Sequence, residues 1–557
     1  MTTGIHHVTA ITSDVQRNVD FYMGFLGLHL VKQTGGYEDA RQLHLFYGDR
    51  QGSPGSILTF LVWQGGARGR TGLGAISEIA IAVPADSLGD WLTRAMTAGI
   101  AVTGPAREMG EPVLRLRDPD GIVVKLVGVA AAPGPRIHSV TLLTADAEET
   151  ARFIARFGYA EALRDGPFIR MASDSDVVDI RGSAGFVPAI PGTGMFDHVA
   201  FRAPDADAVR RMRLDLRDHG GLTHVHDRKY FLSLYVREPM GTLIEYATDG
   251  PGFTVDEDAE HLGQTLMIPP HDAERAFDLR VMLPQFARPD EERVPMRDLP
   301  FAHRFHTPAD PDGSVIVLLH GSGGDEADLM PLAHRIHPRA TLLGVRGRST
   351  EEGIARWFRR FDALTHDQAD IRNEAETFAA FVEGAVRAYG LDAGRMTFLG
   401  LSNGANLLGA VMRLHPGVIR RAILLRGIEV LEEPPEVDLG GVRVLLVTGR
   451  DDPFAAGAPA LEQALTAAGA VVEARTIAAG HDLSPADPEA AKDWMDGRAR
   501  PGAGGAVPSR VQALNSGPMR ARSRISGMTI SSSSDRCCFS KGAIRSTVSA
   551  SASTARR

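Results

Sequence analysis

Ile5-His6-His7-Val8-Thr9 decides how the first half of this chain is read, because the pattern returns three times. Ile76-Ser77-Glu78-Ile79-Ala80, Ile137-His138-Ser139-Val140-Thr141 and Phe196-Asp197-His198-Val199-Ala200 alternate in the same way, as a half-buried strand does. After three of these segments an acid follows seven positions past the third residue: Asp14, Asp146 and Asp205. Such residues cap helix N-termini. Helical spans are expected at 15–26, 88–98, 148–157 and 208–218, with Gly27, Gly99, Gly158 and Gly220 at or just past their ends as stop signals. Short alternating strands come next, for example at 42–46 and 57–63. The unit is β-α-β-β-β, used four times, over about 4–65, 75–130, 136–182 and 195–249.

Repeats two and four also close alike. Arg117-Asp118-Pro119-Asp120-Gly121 and Arg237-Glu238-Pro239-Met240-Gly241 each make a turn before a last strand. Glu78 to Lys125 and His198 to Glu245 are both 47 residues, so equivalent positions can be compared. The third residue of each opening strand reads His7, Glu78, Ser139 and His198; the last-strand position reads Lys125 and Glu245. His7, His198 and Glu245 are two neutral imidazoles and a carboxylate, the facial set that suits Fe(II) with open positions for O₂. The counterpart set of Ser139, Glu78 and Lys125 cannot hold such an ion. Repeats one and four are therefore expected to form a live barrel, and repeats two and three a metal-free one. A lone strand histidine is usually structural; three metal-capable residues at repeat-equivalent positions are not easily accidental. His44 and His138 read as structural, and His219, His224 and His226 as surface hairpin residues.

These residues resemble the vicinal-oxygen-chelate superfamily and, within it, the hydroquinone-type ring-cleaving dioxygenases, over residues 3 to about 290. The likeness extends to Asp227-Arg228-Lys229-Tyr230-Phe231, to Tyr235, to the Arg237–Gly241 turn and to a nearly kept proline-glycine segment at 249–256. One departure is Asp197, where members often carry a second histidine. The resemblance implies an Fe(II) cofactor, with Mn(II) served by the same ligands, and a small aromatic diol and O₂ as partners. Tyr235 would hydrogen-bond an oxygen species or substrate hydroxyl, Arg228 would offset negative charge, and His6 would relay a proton if strand twist brings it near. Strict alternation sends His6 and His7 to opposite faces. The rival reading is a glyoxalase-like lyase or isomerase, which usually needs a fourth ligand; here the candidates Ser139 and Glu78 fall in the other barrel. A non-catalytic binding module is the second alternative, but it has no need of a metal triad.

Prolines crowd 251–300, which reads as a wrapping end to a first domain (1–290) and a linker (291–302). A new pattern then starts. An apolar strand at 314–319 runs into His320-Gly321-Ser322-Gly323-Gly324, and helices and strands alternate to residue 497, as in a doubly wound α/β sheet. Gly400-Leu401-Ser402-Asn403-Gly404 sits between a strand and a helix, the setting of a nucleophile elbow. Asp452 and His481 each follow a strand further on, in the α/β-hydrolase order Ser, Asp, His. Ser402 would be the nucleophile, His481 the base and Asp452 its orienter, with Asp451 as the rival acid. The N–H groups of Ser322 and Asn403 would form the oxyanion hole. The region 303–497 resembles the phospholipase/carboxylesterase family of α/β-hydrolases, which implies a small soluble ester or a ring-opened product as substrate. A helical stretch at 356–361, Arg-Trp-Phe-Arg-Arg-Phe, would either line an acyl pocket or pack by its aromatics.

The whole chain is thus expected to be two-domain, α+β then α/β, and bifunctional. With 557 residues, 43% hydrophobic and 23% charged, it has the balance of a globular protein. Residues 499–557 hold ten Lys/Arg against one Asp; that +9 within a net −9 leaves −18 on the rest. An acidic body argues against nucleic-acid binding, and no apolar run is long enough for a membrane. The Ser/Arg-rich tail at 498–557 is expected to be disordered. The two cysteines, Cys537 and Cys538, make no disulfide framework, and the start lacks a signal-peptide pattern; both suit a cytoplasmic protein. A homo-oligomer is left open.

Overall fold

Helix caps set the rhythm of the first half. Asp14, Asp146 and Asp205 each accept a hydrogen bond from a first-turn N–H, as their spacing predicts. Strand β1 (Ile5–Thr12) leads into α1 (Val15–Val19), β2 (His29–Gly35), β3 (Leu43–Gly48) and β4 (Ile57–Val62). The same order follows in β5 (Ala75–Pro84), α2 (Leu88–Thr97), β6 (Val102–Glu108), β7 (Glu111–Arg117) and β8 (Val123–Val129). It recurs in β9 (Ile137–Thr144), α3 (Ala147–Ile154), β10 (Ala160–Asp165), β11 (Phe168–Ala172) and β12 (Val177–Gly182). A last round comprises β13 (Met195–Ala203), α4 (Ala206–Asp215), β14 (His226–Asp227), β15 (Phe231–Arg237) and β16 (Leu243–Pro251). The computed structural model describes residues 3–132, 134–183, 185–293, 296–362 and 365–497; the expected tail at 498–557 lies outside them. The helix expected at 15–26 is α only to Val19 and continues as a π-helical segment, Asp20–Phe25.

The strands form two sheets that interleave the chain. One runs β14-β15-β16-β13-β1-β4-β3-β2-β17, where β17 is Leu266–Met267; the other runs β10-β11-β12-β9-β5-β8-β7-β6. First and last rounds therefore share one sheet and the middle two share the other, the pairing expected from the comparison of equivalent positions. Alternation sorts the faces. Val8, Ile79, Val140, Val199, Phe201 and Ile244 are wholly buried in one core under the helices. Truncating Phe201 to alanine in such packing typically costs about 3–5 kcal/mol. The opposite face of each sheet is concave and carries His7, Thr9, His198 and Glu245 in one, and Ser139, Thr141, Glu78 and Lys125 in the other. The closing turns tie the sheets reciprocally: Tyr22 donates to Asp118, and Thr150 donates to Glu238.

The second half is a single seven-stranded sheet, β18-β20-β19-β21-β22-β23-β24. Its strands are β18 (His303–His306), β19 (Val315–Leu319), β20 (Thr341–Val345), β21 (Met396–Leu401), β22 (Arg421–Leu425), β23 (Arg443–Gly449) and β24 (Val471–Ile477). All pairings are parallel except β18 with β20. Helices α6 (Met330–Ile336), α7 (Gln368–Tyr389), α8 (Asn403–Leu414), α9 (Ala458–Ala467) and α10 (Ala486–Met495) connect them, preceded by α5 (Ala276–Met282). Val281 and Met282 of α5 are buried among residues of this second half. The halves also meet through Arg304 on Gln64 at 2.7 Å and Arg41 on Asp325 and Asp328 at 2.9 and 2.7 Å. The stretch expected to be helical at 356–361 is not; it is an irregular segment pinned by bridges Ser349–Arg356 and Arg360–His366. Trp357 and Phe358 are fully buried there, so aromatic packing shapes it. No helix among the described residues is long and apolar enough to cross a membrane.

Candidate active sites

Register brings three distant residues together. His7 lies opposite Ala200, and Ala200 lies beside Glu245, so the row across β1, β13 and β16 reads His7, Ala200, Glu245. The small Ala200 side chain lets its longer neighbours converge over it. The next row reads Thr59, Thr9, His198. His7 Nε2 and His198 Nε2 are 3.3 Å apart, and both face Glu245 Oε2, at 3.2 and 2.9 Å. All three residues are buried.

The donor set fits a metal ion. Ligand bonds of about 2.1 Å at right angles place neighbouring ligand atoms roughly 3 Å apart, which is the spacing found. Glu245 Oε1 accepts from Ser233, while Oε2 receives no properly directed hydrogen bond despite its 2.9 Å approach to His198. Each imidazole is oriented from behind. His198 Nδ1 meets Asp197 Oδ2 at 2.7 Å, and His7 Nδ1 meets His6 Nδ1 at 2.9 Å. Protons on the two Nδ1 atoms leave both Nε2 lone pairs free to ligate, the usual outer-shell arrangement of metal-bound histidine. Burial would raise Glu245, but its contacts with His7 and His198 outweigh this and hold the carboxyl well below its ordinary range. Burial alone would lower His198; the Asp197 and Glu245 carboxylates beside it instead raise it to about 9.

His6 departs from strict alternation. The pairing of β1 with β13 is irregular between Ile5 and His7, and this turns both rings to one side, with centroids 5.1 Å apart. Phe231 packs against both. Tyr235 stands across from Glu245 and edge-on to His198, 5.4 Å between centroids. Arg228 lies over the Tyr235 ring at 5.5 Å and pairs with Glu38 at 2.7 Å.

The second constellation sits at the carboxyl ends of β19, β21, β23 and β24, where open α/β sheets bind ligands. His481 Nε2 is 2.9 Å from Ser402 Oγ, and His481 Nδ1 is 3.0 Å from Asp452 Oδ1. Asp452 is buried and Asp451 exposed. Ser402 is held at φ +50°, a strained turn that requires bare neighbours. A Cβ on Gly400 would lie 2.6 Å from the Ala405 nitrogen, and one on Gly404 would lie 2.2 Å from the Leu319 oxygen. Asn403 opens α8, so its N–H has no intrahelical acceptor; its side-chain Oδ1 accepts from Trp357 N at 2.7 Å. Ser322 is in the turn after β19, and the Trp357 indole donates to His320 O in that turn at 2.9 Å.

Residues 4–126 match the model of the glyoxalase/bleomycin resistance protein/dioxygenase superfamily. The chain is 35% identical over 287 residues to the "putative ring-cleaving dioxygenase MhqO" of Bacillus subtilis, covering 48% of this chain and 91% of that one. The chain belongs to this dioxygenase superfamily. It is also 30% identical over 295 residues to chlorohydroquinone/hydroquinone 1,2-dioxygenase of Sphingobium indicum, covering 48% of this chain and 91% of that protein. The other half is 32% identical over 189 residues to the "putative hydrolase MhqD" of Bacillus subtilis, covering 32% of this chain and 92% of its relative. The protein is thus an enzyme in two parts, a dioxygenase fused to a hydrolase.

Several residues of the dioxygenase half escape a reading of the sequence alone. Thr9 Oγ1 lies 2.9 Å from His198 Nε2, Thr59 donates to Thr9 at 2.8 Å, and His44 Nε2 lies 2.9 Å from Thr59 Oγ1. His44, expected to be merely structural, thus ends a chain of contacts from His198. His226, expected on the surface, is half-buried with its ring 5.8 Å from Tyr235. Thr9 was legible in principle, two positions from His7 on one strand face; Ser233 and His44 depend on cross-strand register. In the hydrolase half the missed residue is Arg426. It donates to Gly480 O at 2.9 Å and Asp482 O at 3.1 Å, on either side of His481, and pairs with Asp487 at 2.6 Å with both side chains wholly buried.

Proposed function

We propose that this chain joins Fe(II)-dependent, extradiol-type cleavage of hydroquinones or related dihydroxybenzenes to serine-dependent hydrolysis of small carboxylic esters or ring-opened products. The observation that carries the first part is the convergence of His7, His198 and Glu245 on one point. His7, His198 and Glu245 would hold Fe(II), or Mn(II) in its place. Bound there, the ion supplies the electron exchange through which O₂ and an aromatic diol react.

The chain's own residues do the rest. Ser233 fixes the Glu245 carboxylate, and Asp197 holds the proton on His198 Nδ1. His6 is placed to hold or pass a proton at His7 Nδ1. Tyr235 offers its hydroxyl to a substrate oxygen, and Arg228, permanently cationic, offsets the charge of a deprotonated diol. Phe231 and neighbouring apolar residues keep the cup dry, which strengthens each of these interactions.

In the hydrolase half, Ser402 Oγ attacks the ester carbonyl carbon as its proton passes to His481 Nε2. The C–O bond then breaks, and His481 returns the proton to the leaving alkoxide. Water repeats the sequence on the acyl-serine and frees the acid. Asp452 stays ionised and holds His481 Nδ1–H in place. The N–H groups of Ser322 and Asn403 receive the oxyanion; losing one such donor typically costs about 3 kcal/mol of barrier.

The same reading divides the chain into four β-α-β-β-β copies within 1–290, a linker at 291–302 and the hydrolase at 303–497, in a cytoplasmic protein. The test is O₂ consumption with Fe(II)-loaded protein and hydroquinone or catechol. Uptake that disappears in His198→Ala is expected; no uptake with any dihydroxybenzene by protein shown to hold iron would overturn the dioxygenase reading. For the second half, p-nitrophenyl butyrate turnover should vanish in Ser402→Ala, and its persistence would overturn the nucleophile.

A further inference from the structure

The sheet without the metal set has a cup of its own, and its floor is built in register with the other. Asp179, Thr141 and Glu78 form one row across β12, β9 and β5, where the first sheet has Thr59, Thr9 and His198. Ser139, Ala80 and Lys125 form the next, where the first sheet has His7, Ala200 and Glu245. The cup encloses a cavity of about 430 Å³, within the roughly 300–1,000 Å³ of small-molecule sites.

Its charges are organised. Arg115 grips Glu78 at 2.8 and 3.1 Å and also reaches Glu108; Arg170 grips Asp179 at 2.7 and 3.0 Å. The carboxylates of the floor are thus already spoken for. Lys125 is 4% exposed, and its Nζ stands 3.7, 3.6 and 4.0 Å from Glu78, Glu108 and Asp179. These are three long ion pairs rather than close, directed hydrogen bonds. A built-in ammonium therefore takes the position of the other cup's carboxylate ligand, with N–H groups to give. At the rim, Arg107, Arg117 and Arg181 form no ion pair among the described residues. Six cationic and four anionic side chains line the cavity in all, with Phe168, Phe186 and Phe196 among its apolar walls. Phe186 is 54% exposed.

We propose that this second cup is a binding site for a small aromatic carboxylate. The carboxylate accepts hydrogen bonds from Lys125, whose ion pairs to Glu78, Glu108 and Asp179 are all long, and the rim arginines attract the anion. The ring lies against the phenylalanines. A bare phosphate or sulfate would leave those aromatic walls unused, and a divalent cation would meet the Lys125 charge.

The experiment is a calorimetric titration of the full-length protein with benzoate and, as its neutral counterpart, benzyl alcohol. Saturable benzoate binding at one site is expected, at least tenfold tighter than benzyl alcohol. It should persist in His198→Ala, which disables the first cup, and weaken at least tenfold in Lys125→Met. Ester hydrolysis by Lys125→Met should match the parent, showing that the variant is folded. Should that variant not fold, Phe186→Ala, at the open mouth, should weaken benzoate at least threefold. No binding, equal binding of the alcohol, loss of binding in His198→Ala, or binding indifferent to both the Lys125 and Phe186 changes would overturn the proposal.

Discussion

Asp197 and His198 are neighbours in β13, yet their side chains meet, with Oδ2 2.7 Å from Nδ1. That contact aims the other ring nitrogen at Glu245. Asp197→Ala should leave the ring free to turn and to carry its proton on either nitrogen. Removing such a partner typically lowers metal affinity by about 10–100-fold. Competition with a chromogenic chelator measures it; an affinity equal to the parent's would show that Asp197 does not orient the ligand.

Asp452 and Asp451 are adjacent but differently placed, one buried against His481 and the other exposed. Asp452→Asn should lower kcat for p-nitrophenyl butyrate by on the order of 10⁴, because the wrong tautomer of His481 then faces Ser402. Asp451→Asn should leave kcat near that of the parent. The reverse pattern would reassign the acid.

Arg426 spans the loop that carries His481 from behind. Breaking its wholly buried pair with Asp487 should cost about 3–5 kcal/mol and also release the Gly480 and Asp482 carbonyls. Arg426→Met is therefore expected to lower Tm and to reduce kcat more than it raises KM, since His481 rather than a substrate contact is displaced. Arg426→Lys should restore part of Tm by keeping the charge, and less of kcat, because one ammonium cannot span both carbonyls. A kcat unchanged in a stably folded Arg426→Met would rule out a positioning role.

Asp118 links the two sheets through Tyr22. Burial pushes its carboxyl up from 3.8 to about 7, and the Asp120 charge adds to this against opposing hydrogen bonds such as that from Ile122. Between those values the folded chain holds a proton that the unfolded chain lacks, so this group's contribution to stability falls as pH rises from about 4 to 7. The loss amounts to on the order of 4 kcal/mol at neutral pH. Asp118→Asn removes that dependence. The Tm of the variant minus that of the parent should climb across this window and level off above it; a difference flat with pH would mean that Asp118 is ionised throughout.

The two sheets were legible because repeat-equivalent residues carry contradictory chemistry: a lysine at 125 against a glutamate at 245 cannot serve the same ion. The hydrolase was legible because Gly400, Ser402 and Gly404 answer to one tight turn. What strand alternation could not foresee was the irregularity in β1 that turns His6 towards His7. Nor could it foresee Ser233, Thr59 and His44, which depend on register between strands far apart in sequence. The aromatic stretch at 356–361 misled for a related reason. Helical spacing of apolar residues does not make a helix when Trp357 is held by its indole and backbone N–H groups, to His320 and Asn403.

The pairing of the first round of strands with the last has a consequence in time. During synthesis the eight-stranded sheet is complete in sequence by Gly182, when neither β13 nor β16 has been made. β1 has β4 beside it early but must wait for β13, about 190 residues downstream, a separation that slows closure. The eight-stranded sheet can therefore be assembled first and stand as a finished floor against which the later strands dock. His198 and Glu245, two of the three candidate ligands, arrive only afterwards. On the proposed reading, a metal ion retained by the purified protein would be a certificate that the first half has closed on itself, and a chain cut short before Glu245 should emerge folded in part but without that site.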